Sequence, residues 1–227
     1  MQPSIETLGD TAAIVKWDGL TSAESLLHVY SLSSSLQAAR IPGFEAFVPA
    51  FASLTVHYDP YSIDWALVED SLRKRVLELT PAARVQGKLV EIPVCYDLEF
   101  AVDLSELALQ HGMPIKEVVR LHSTADYVVQ MIGFAPGFPY LAGLPSKLET
   151  ARKSTPRLRV PSGSVAIGGK QTGIYSLETP GGWNIIGRTP VALFQPQNDP
   201  PCLLIAGDRV RFVSITMNEF LGQRGSS

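Results

Sequence analysis

The sequence lacks any run of about 20 apolar residues, the length a membrane-spanning helix requires, so nothing in its 227 residues reads as a bilayer span. Its opening, MQPSIETLGDTAA, has neither the basic patch nor the apolar run of a secretory signal, and a cytoplasmic location is the expectation. Cysteine is scarce: Cys95 and Cys202 lie far apart, without a Cys or His neighbour at ligand spacing. That argues against a disulfide framework and a zinc site. His28, His57, His111 and His122 show no ligand spacing either, so no metal is expected. A net charge of −3 and a pI near 5.8 lack the basic excess of a nucleic-acid-binding chain. What is present is an ordinary globular balance, 45% hydrophobic and 18% charged, on a chain long enough for one large domain or two small ones.

The first 86 residues mix strand and helix patterns. Ser4–Leu8 and Thr11–Trp17 flank Gly9-Asp10, a hairpin signal. Residues 22–39 contain no Pro or Gly and stop before Ile41-Pro42-Gly43, which predicts a helix. Strands are expected at Phe44–Val48 and Ser53–Tyr58. A second helix follows from Trp65, Val68, Leu72, Val76 and Leu79 at spacings of three and four. Its charged face, Glu69, Asp70, Arg73, Lys74 and Arg75, reads as a solvated surface.

Near residue 87 the pattern changes to many short β-like pieces separated by Gly and Pro: Lys88–Tyr96, Tyr127–Ile132, Ser164–Ile167, Val191–Phe194, Leu203–Ile205 and Arg209–Ser214. This is the pattern of a barrel or sandwich. Two helices interrupt it. Asp103, with Glu106 three residues later, reads as a helix cap, and Gly112 as a stop. Pro114 opens the next helix, on which Ile115, Val118, Val119 and His122 share a face.

Chemistry concentrates in residues 133–188. Glycine and proline there are interleaved with Phe134, Phe138, Tyr140, Tyr175 and Trp183. Such a mixture fits an ordered, loop-built ligand surface or the corners of a small barrel. Between Lys147 and Lys170 six basic residues, Lys147, Arg152, Lys153, Arg157, Arg159 and Lys170, stand against one acid, Glu149, in a net acidic chain. Arg157 and Arg159 alternate on a strand-like run and so share a face able to grip a carboxylate or phosphate; the bland alternative is a pair of solvated arginines guarding a strand edge. Asp126, Gln171 and Thr172 are polar residues that could converge on them, and backbone N–H groups near Gly168, Gly169 and Gly173 could form an anion nest. His122 is a candidate too, although its apolar helix face favours a satisfied core histidine.

Several chemistries fail at the level of spacing. Gly163–Gln171 resembles a phosphate loop, but an extra residue precedes Lys170 and Gln171 stands where Ser or Thr would meet magnesium. Ser162 and Ser164 lie in no Gly-x-Ser-x-Gly elbow. No complete catalytic set emerges, and the chain reads as part of a larger active site.

Three stretches, GFAPGFPYLAGLP, PRLRVPSGSVAIGGKQTGIY and TPGGWNIIGRT, closely resemble the family of the 5-oxoprolinase B subunit, also called allophanate hydrolase subunit 1 or KipI-like. The match is strong from about Leu121 to Phe194 and looser over nearly the whole chain. It implies an α+β protein with an N-terminal ferredoxin-like α/β domain over 1–86 and a C-terminal cyclophilin-like β-barrel over 87–227. It also implies a hydrolase component that works with an A subunit and an allophanate hydrolase subunit 2-like C subunit to open 5-oxo-L-proline to L-glutamate. ATP is then consumed by the complex. A KipI-like inhibitor of a sensor histidine kinase is the alternative, and a carboxyltransferase half of a biotin-dependent urea carboxylase ranks third, since the chain carries no Met-Lys-Met site. The residues expected to bind the small anionic substrate are His122, Phe134, Pro136, Gly137, Phe138, Tyr140, Arg157, Arg159, Ser164, Gln171, Thr172, Tyr175 and Trp183. Two departures from the family pattern are Ser162-Gly-Ser, where Ala-Gly-Ser is commoner, and Arg152-Lys153 in place of Pro-Arg-Arg. The latter pair is therefore carried over less readily than Arg157 and Arg159.

Overall fold

A computed structural model describes residues 2–20, 22–80 and 87–224. The chain divides into two compact units, Met1–Gln86 and Gly87–Ser227; the junction over 81–86, where the sequence pattern changes, lies outside the described residues.

In the first unit, β1 (Ser4–Thr7) and β2 (Ala12–Lys16) pair antiparallel from Ser4↔Lys16 to Thr7↔Ala13. Helix α1 (Ser22–Ala39) ends before Ile41-Pro42. Strand β3 (Phe44–Pro49) lies beside β4 (Ser53–Tyr58), whose alternate residues Leu54, Val56 and Tyr58 are buried, as a strand with one core face demands. Helix α2 (Trp65–Glu78) starts at Asp64, whose side chain accepts the Leu67 N–H at 2.9 Å and so satisfies an otherwise orphaned donor. The sheet order is β1-β2-β4-β3, antiparallel throughout. Element order is ββαββα, which is the ferredoxin-like βαββαβ with its last strand moved to the front. Val29, Leu32 and Leu36 of α1 and Val68 and Leu72 of α2 share one core with Ala13, Val15, Leu54 and Val56 of the sheet.

The second unit begins with β5 (Leu89–Cys95), α3 (Leu104–Gln110) and α4 (Ile115–Thr124). After them come β6 (Tyr127–Ile132), β7 (Pro139–Ala142), β8 (Arg157–Val160), β9 (Ser164–Gly168), β10 (Gln171–Ile174), β11 (Thr179–Gly181), β12 (Asn184–Arg188), β13 (Arg209–Ile215) and α5 (Met217–Arg224), with a short 3-10 turn at Ser146–Leu148. Seven strands close a barrel in the order β10-β7-β6-β13-β5-β12-β9, while β8 and β11 pair as a separate ribbon. Only β13 and β5, among the described barrel pairs, run parallel. Leu104, Leu107 and Ala108 of α3 and Val118 of α4 join Ile92, Val129, Leu141, Ile167, Ile186 and Phe212 of the barrel in one core. The molecule is thus α+β, a ferredoxin-like layer and a cyclophilin-like barrel. Among the described residues no helix is long and apolar enough to cross a membrane.

Two expectations need correction. Val191–Phe194 and Leu203–Ile205 form no ladder beyond a single bridge, Phe194↔Cys202, because Pro190, Pro196, Pro200 and Pro201 have no N–H to give a sheet. Helix α5 was unforeseen, although its signal stands in the chain: Thr216 N–H donates to Glu219 Oε2 at 2.7 Å and Glu219 N–H to Thr216 Oγ1 at 3.3 Å, a reciprocal capping box.

Candidate functional site

The first site-building segment joins β6 to β7. Ala135 N–H donates to the Gly133 carbonyl at 2.8 Å across Phe134, which sits at φ +68, a three-residue turn of the rare, strained hand. Phe138 N–H then donates to the Ala135 carbonyl at 3.0 Å around Pro136 and Gly137. Proline first and a glycine at φ +74 second is the type II arrangement, which a Cβ at the second position would oppose. Ser176 Oγ clamps the turn by donating to the Pro136 carbonyl at 2.6 Å. As a result Phe134 is held outward, 61% exposed, in edge-to-face contact with Phe138 and Tyr175.

Behind it lies a hollow of about 180 Å³ walled by Phe134, Phe138, Tyr140, Tyr175 and Trp183 and rimmed by Arg152 and Lys153. The rings meet edge to face: Phe138 and Trp183 at 5.6 Å and 87°, Phe138 and Tyr175 at 5.3 Å and 83°, the geometry their quadrupoles favour. Trp183 packs flat on Gly168, where a Cβ would stand 2.5 Å from the indole; the close approach requires glycine. Burial raises the Tyr140 and Tyr175 phenols, keeping this wall neutral. Arg152 places its guanidinium 5.6 Å from the Trp183 ring centre, a cation–π arrangement, and has no carboxylate partner among the described residues. The backbone N–H of Lys153 donates to Gly182 at 2.7 Å.

A second hollow, about 240 Å³, is lined by Arg157, Arg159, Arg188, Glu99, Phe100 and Ser164 among others. Arg157 and Arg159 do share this wall, with Leu158 turned away to solvent. Their charges are already answered. Arg159, its side chain 78% exposed, donates to Glu178 through Nε at 2.9 Å and Nη2 at 2.6 Å. Arg157 Nη2 donates to Asp103 at 2.6 Å, while its Nη1 is buried without a partner among the described residues. Arg188 Nε donates to the Ser162 carbonyl at 3.0 Å, and its guanidinium lies over Phe100.

Asp103 is the residue that sequence reasoning misread. It does precede α3 and its carbonyl accepts the Leu107 N–H, but its carboxylate makes no cap. Oδ2 accepts the Ile185 N–H at 2.7 Å, and Oδ1 accepts both Arg157 Nη2 and Lys153 Nζ, the latter at 3.1 Å. One buried carboxylate therefore ties the rims of the two hollows together. Nothing in the local sequence distinguishes it from a cap; the partners lie 50 to 82 residues away along the chain.

The remaining expected residues fall elsewhere. His122 is fully buried in the barrel core, stacked on Phe212 at 4.6 Å. Thr172 Oγ1 donates to the Ala166 carbonyl at 2.9 Å, so it accepts from His122 Nε2 at 2.9 Å, and Nδ1 then accepts the Tyr96 hydroxyl at 2.8 Å. That tautomer satisfies every partner. Burial lowers the His122 pKa to about 3, so the ring is neutral and structural. Gln171 donates to Gln130 Oε1 at 3.0 Å outside both hollows, and Asp126 pairs with Arg209 and Arg211. Ser164 lines the second hollow with its hydroxyl donated to Pro161, and Pro136 and Gly137 serve only as the turn. The anion nest does not form: Gly169 N–H donates to Thr150 at 2.7 Å, and Gly173 lies between β7 and β9. Gly169 and Lys170 make the β9–β10 hairpin turn, not a strand-loop-helix phosphate cradle. The expected residues thus gather in two places, the five aromatics with Arg152 and Lys153 around one hollow and Arg157, Arg159 and Ser164 around the other.

The second unit is thus a closed barrel that bears an aromatic, cation-rimmed hollow. The chain belongs to the family described as carboxyltransferase domain, subdomain C and D, which it matches over residues 3–204. It is 41% identical over 226 residues to the 5-oxoprolinase B subunit of Bacillus subtilis (strain 168), covering 95% of this chain and 94% of that protein. The crystal structure of TTHA0988 is 37% identical with a TM-score of 0.79, covering 90% of this chain; the chain spans 39% of that protein's length. The urea carboxylase of Kluyveromyces lactis, 18% identical with a TM-score of 0.78 over 97% of this chain and 22% of its own, shares the fold.

Proposed function

We propose that this chain is the B subunit of a multi-subunit 5-oxoprolinase, in which it binds 5-oxo-L-proline while A and C subunits supply the remainder of the active site. Curated relatives of nearly the same length bear that name, which favours it over the kinase-inhibitor and biotin-dependent carboxylase readings. The observation that carries the proposal is Arg152, a guanidinium without a carboxylate partner among the described residues, stacked on Trp183 at the rim of an aromatic hollow.

5-Oxoproline is a five-membered lactam bearing one carboxylate. Its methylene face suits the ring walls, whose burial of apolar surface contributes roughly 25 cal/mol per Å². Its carboxylate suits Arg152, whose planar fork matches a carboxylate's two oxygens. Neutral Tyr140 and Tyr175 add no repulsion. ATP is consumed by the complex, supplying a phosphoryl group that makes the lactam oxygen a leaving group. Neither the aromatic hollow nor the glycine-rich segment fits the nucleotide. The aromatic hollow, about 180 Å³, is below the ~300 Å³ at which drug-sized sites begin, and the glycine-rich segment is a hairpin. ATP is therefore assigned to the partner subunits.

The test is reconstitution: co-purify the chain with A and C subunits and measure glutamate released from 5-oxoproline. Activity that requires this chain, with Arg152→Ala raising the KM for 5-oxoproline, is the expected result. Glutamate release equally fast without the chain, or none with all three, overturns the proposal.

A further inference from the structure

The rim of the aromatic hollow contains a second cation, and its surroundings differ from those of Arg152. Lys153 is held at both ends: its backbone N–H by Gly182 at 2.7 Å, and its ammonium by Asp103 Oδ1 at 3.1 Å and Glu106 Oε2 at 3.0 Å. An ammonium has three N–H donors, so one remains. Both hydrogen bonds, Glu106's first and then Asp103's, raise the Lys153 pKa, so the group is a cation at neutral pH rather than a base. Asp103 is itself immobile, its side chain 3% exposed and fixed by Ile185 N–H and Arg157. A buried carboxylate is costly to keep unless its partners are well placed, and here the partners come from both hollows.

Resting on the function proposed above, we infer that Lys153 donates its third N–H to the lactam carbonyl oxygen, and that Asp103 is the positioning residue that aims it. Water attacks the carbonyl carbon of the phosphorylated lactam, the bond from that carbon to the original carbonyl oxygen breaks, and the departing phosphate takes the electron pair. A donor preset opposite that oxygen stabilises the charge it gains in the transition state more than in the ground state. Arg152 supplies ground-state binding through the carboxylate; Lys153 acts at the reacting end. The two cations of one rim thus divide recognition from chemistry.

In the reconstituted complex, Lys153→Met is expected to lower kcat about a hundredfold with KM within about twofold, the scale of losing one oxyanion donor. Asp103→Asn keeps an acceptor for Ile185 N–H and is expected to lower kcat about tenfold while moving the alkaline limb of the kcat profile to lower pH, because Asp103 no longer raises the lysine. Glu106→Gln, on an exposed side chain, moves the same limb in the same direction yet leaves kcat on the plateau within about twofold, since Asp103 still aims the ammonium. Should Lys153→Met instead fold badly, Glu106→Gln decides by its pH profile alone. A wild-type complex that is active while Lys153→Met keeps its kcat, or an alkaline limb unmoved by both carboxylate variants, removes the inference and leaves the function standing. An inactive wild-type complex removes both.

Discussion

Set side by side, the aromatic hollow and the arginine hollow are both rimmed by basic side chains from neighbouring stretches of chain, Arg152 and Lys153 in one, Arg157, Arg159 and Arg188 in the other. By a tally of cations the second is the better anion site. By pairing it is the worse, because Asp103 and Glu178 already hold Arg157 and Arg159, and an arriving anion must compete with a carboxylate fixed in place. The first hollow has fewer cations but one, Arg152, that rests on an indole rather than on an acid. Where the carboxylates sit, which only the fold decides, determines which arginine remains available.

The most severe way to break the comparison is to remove the floor of the aromatic hollow. Trp183 is buried against Gly168 and Phe138, and Trp183→Ala is expected to cost roughly 3–5 kcal/mol of folding stability, as large aromatic truncations do. Denaturant unfolding measures it. A loss below about 1 kcal/mol would mean that the ring cluster does not hold this wall together.

Next in size is an acid effect that must be separated from the hollows. The pKa of His122 is about 3 in the fold against an ordinary 6.5. Between those values the unfolded chain holds a proton that the folded chain does not, so stability is full above about 6.5 and falls by roughly 1.4 kcal/mol per pH unit as pH drops toward 3. His122→Gln, compared with wild type by unfolding at a series of pH values, should flatten that slope by about one proton's worth. If the two slopes coincide, His122 does not titrate as its burial requires, and acid sensitivity must be sought at the rims.

The third test addresses the guanidinium that rests on the indole. Arg152→Ala is expected to weaken 5-oxoproline binding by roughly 1.5–3 kcal/mol, the range for a hydrogen bond to a charged group, with stability changed by less than about 0.5 kcal/mol as for most surface substitutions. Calorimetric titration and unfolding provide both values. Equal losses in the two would assign Arg152 to the wall and not to the ligand.

Much of this protein is legible in its residues where the determining interactions are local. Gly9-Asp10 marks the first hairpin, the absence of Pro and Gly marks α1, and the three-four spacing marks α2. Local signals even include α5, whose Thr216–Glu219 box was there to be read. The aromatic interleaving of residues 133–188 likewise pointed to five residues that do converge. What escaped is long-range. Asp103 looks like a cap because its neighbours are those of a cap, whereas its carboxylate serves Lys153, Arg157 and Ile185. Thr172 looks like a site residue because it sits in a glycine-rich stretch, whereas β-strand alternation turns it into the barrel toward His122. The proline-dense run after Thr189 has the apolar residues of strands but lacks the donors for a ladder.

The smallest effect is the one that most sharpens the comparison, because it falls on the residue the sequence favoured. Arg159 projects from β8 with its side chain 78% exposed and both observed hydrogen bonds committed to Glu178. An exposed pair of this kind contributes only about 0–1 kcal/mol, since water screens both charges and two long side chains lose freedom to meet. Arg159→Ala should therefore leave stability within about 1 kcal/mol and 5-oxoproline affinity within about twofold, a change worth less than half of one tenfold step. The informative outcome is the reverse. If Arg159→Ala weakened binding as much as Arg152→Ala while Glu178→Ala strengthened it, the arginine would be a ligand held in reserve by its carboxylate. Pairing in the unbound chain would then be a latch on the site, and the tally of cations would have been the better guide after all.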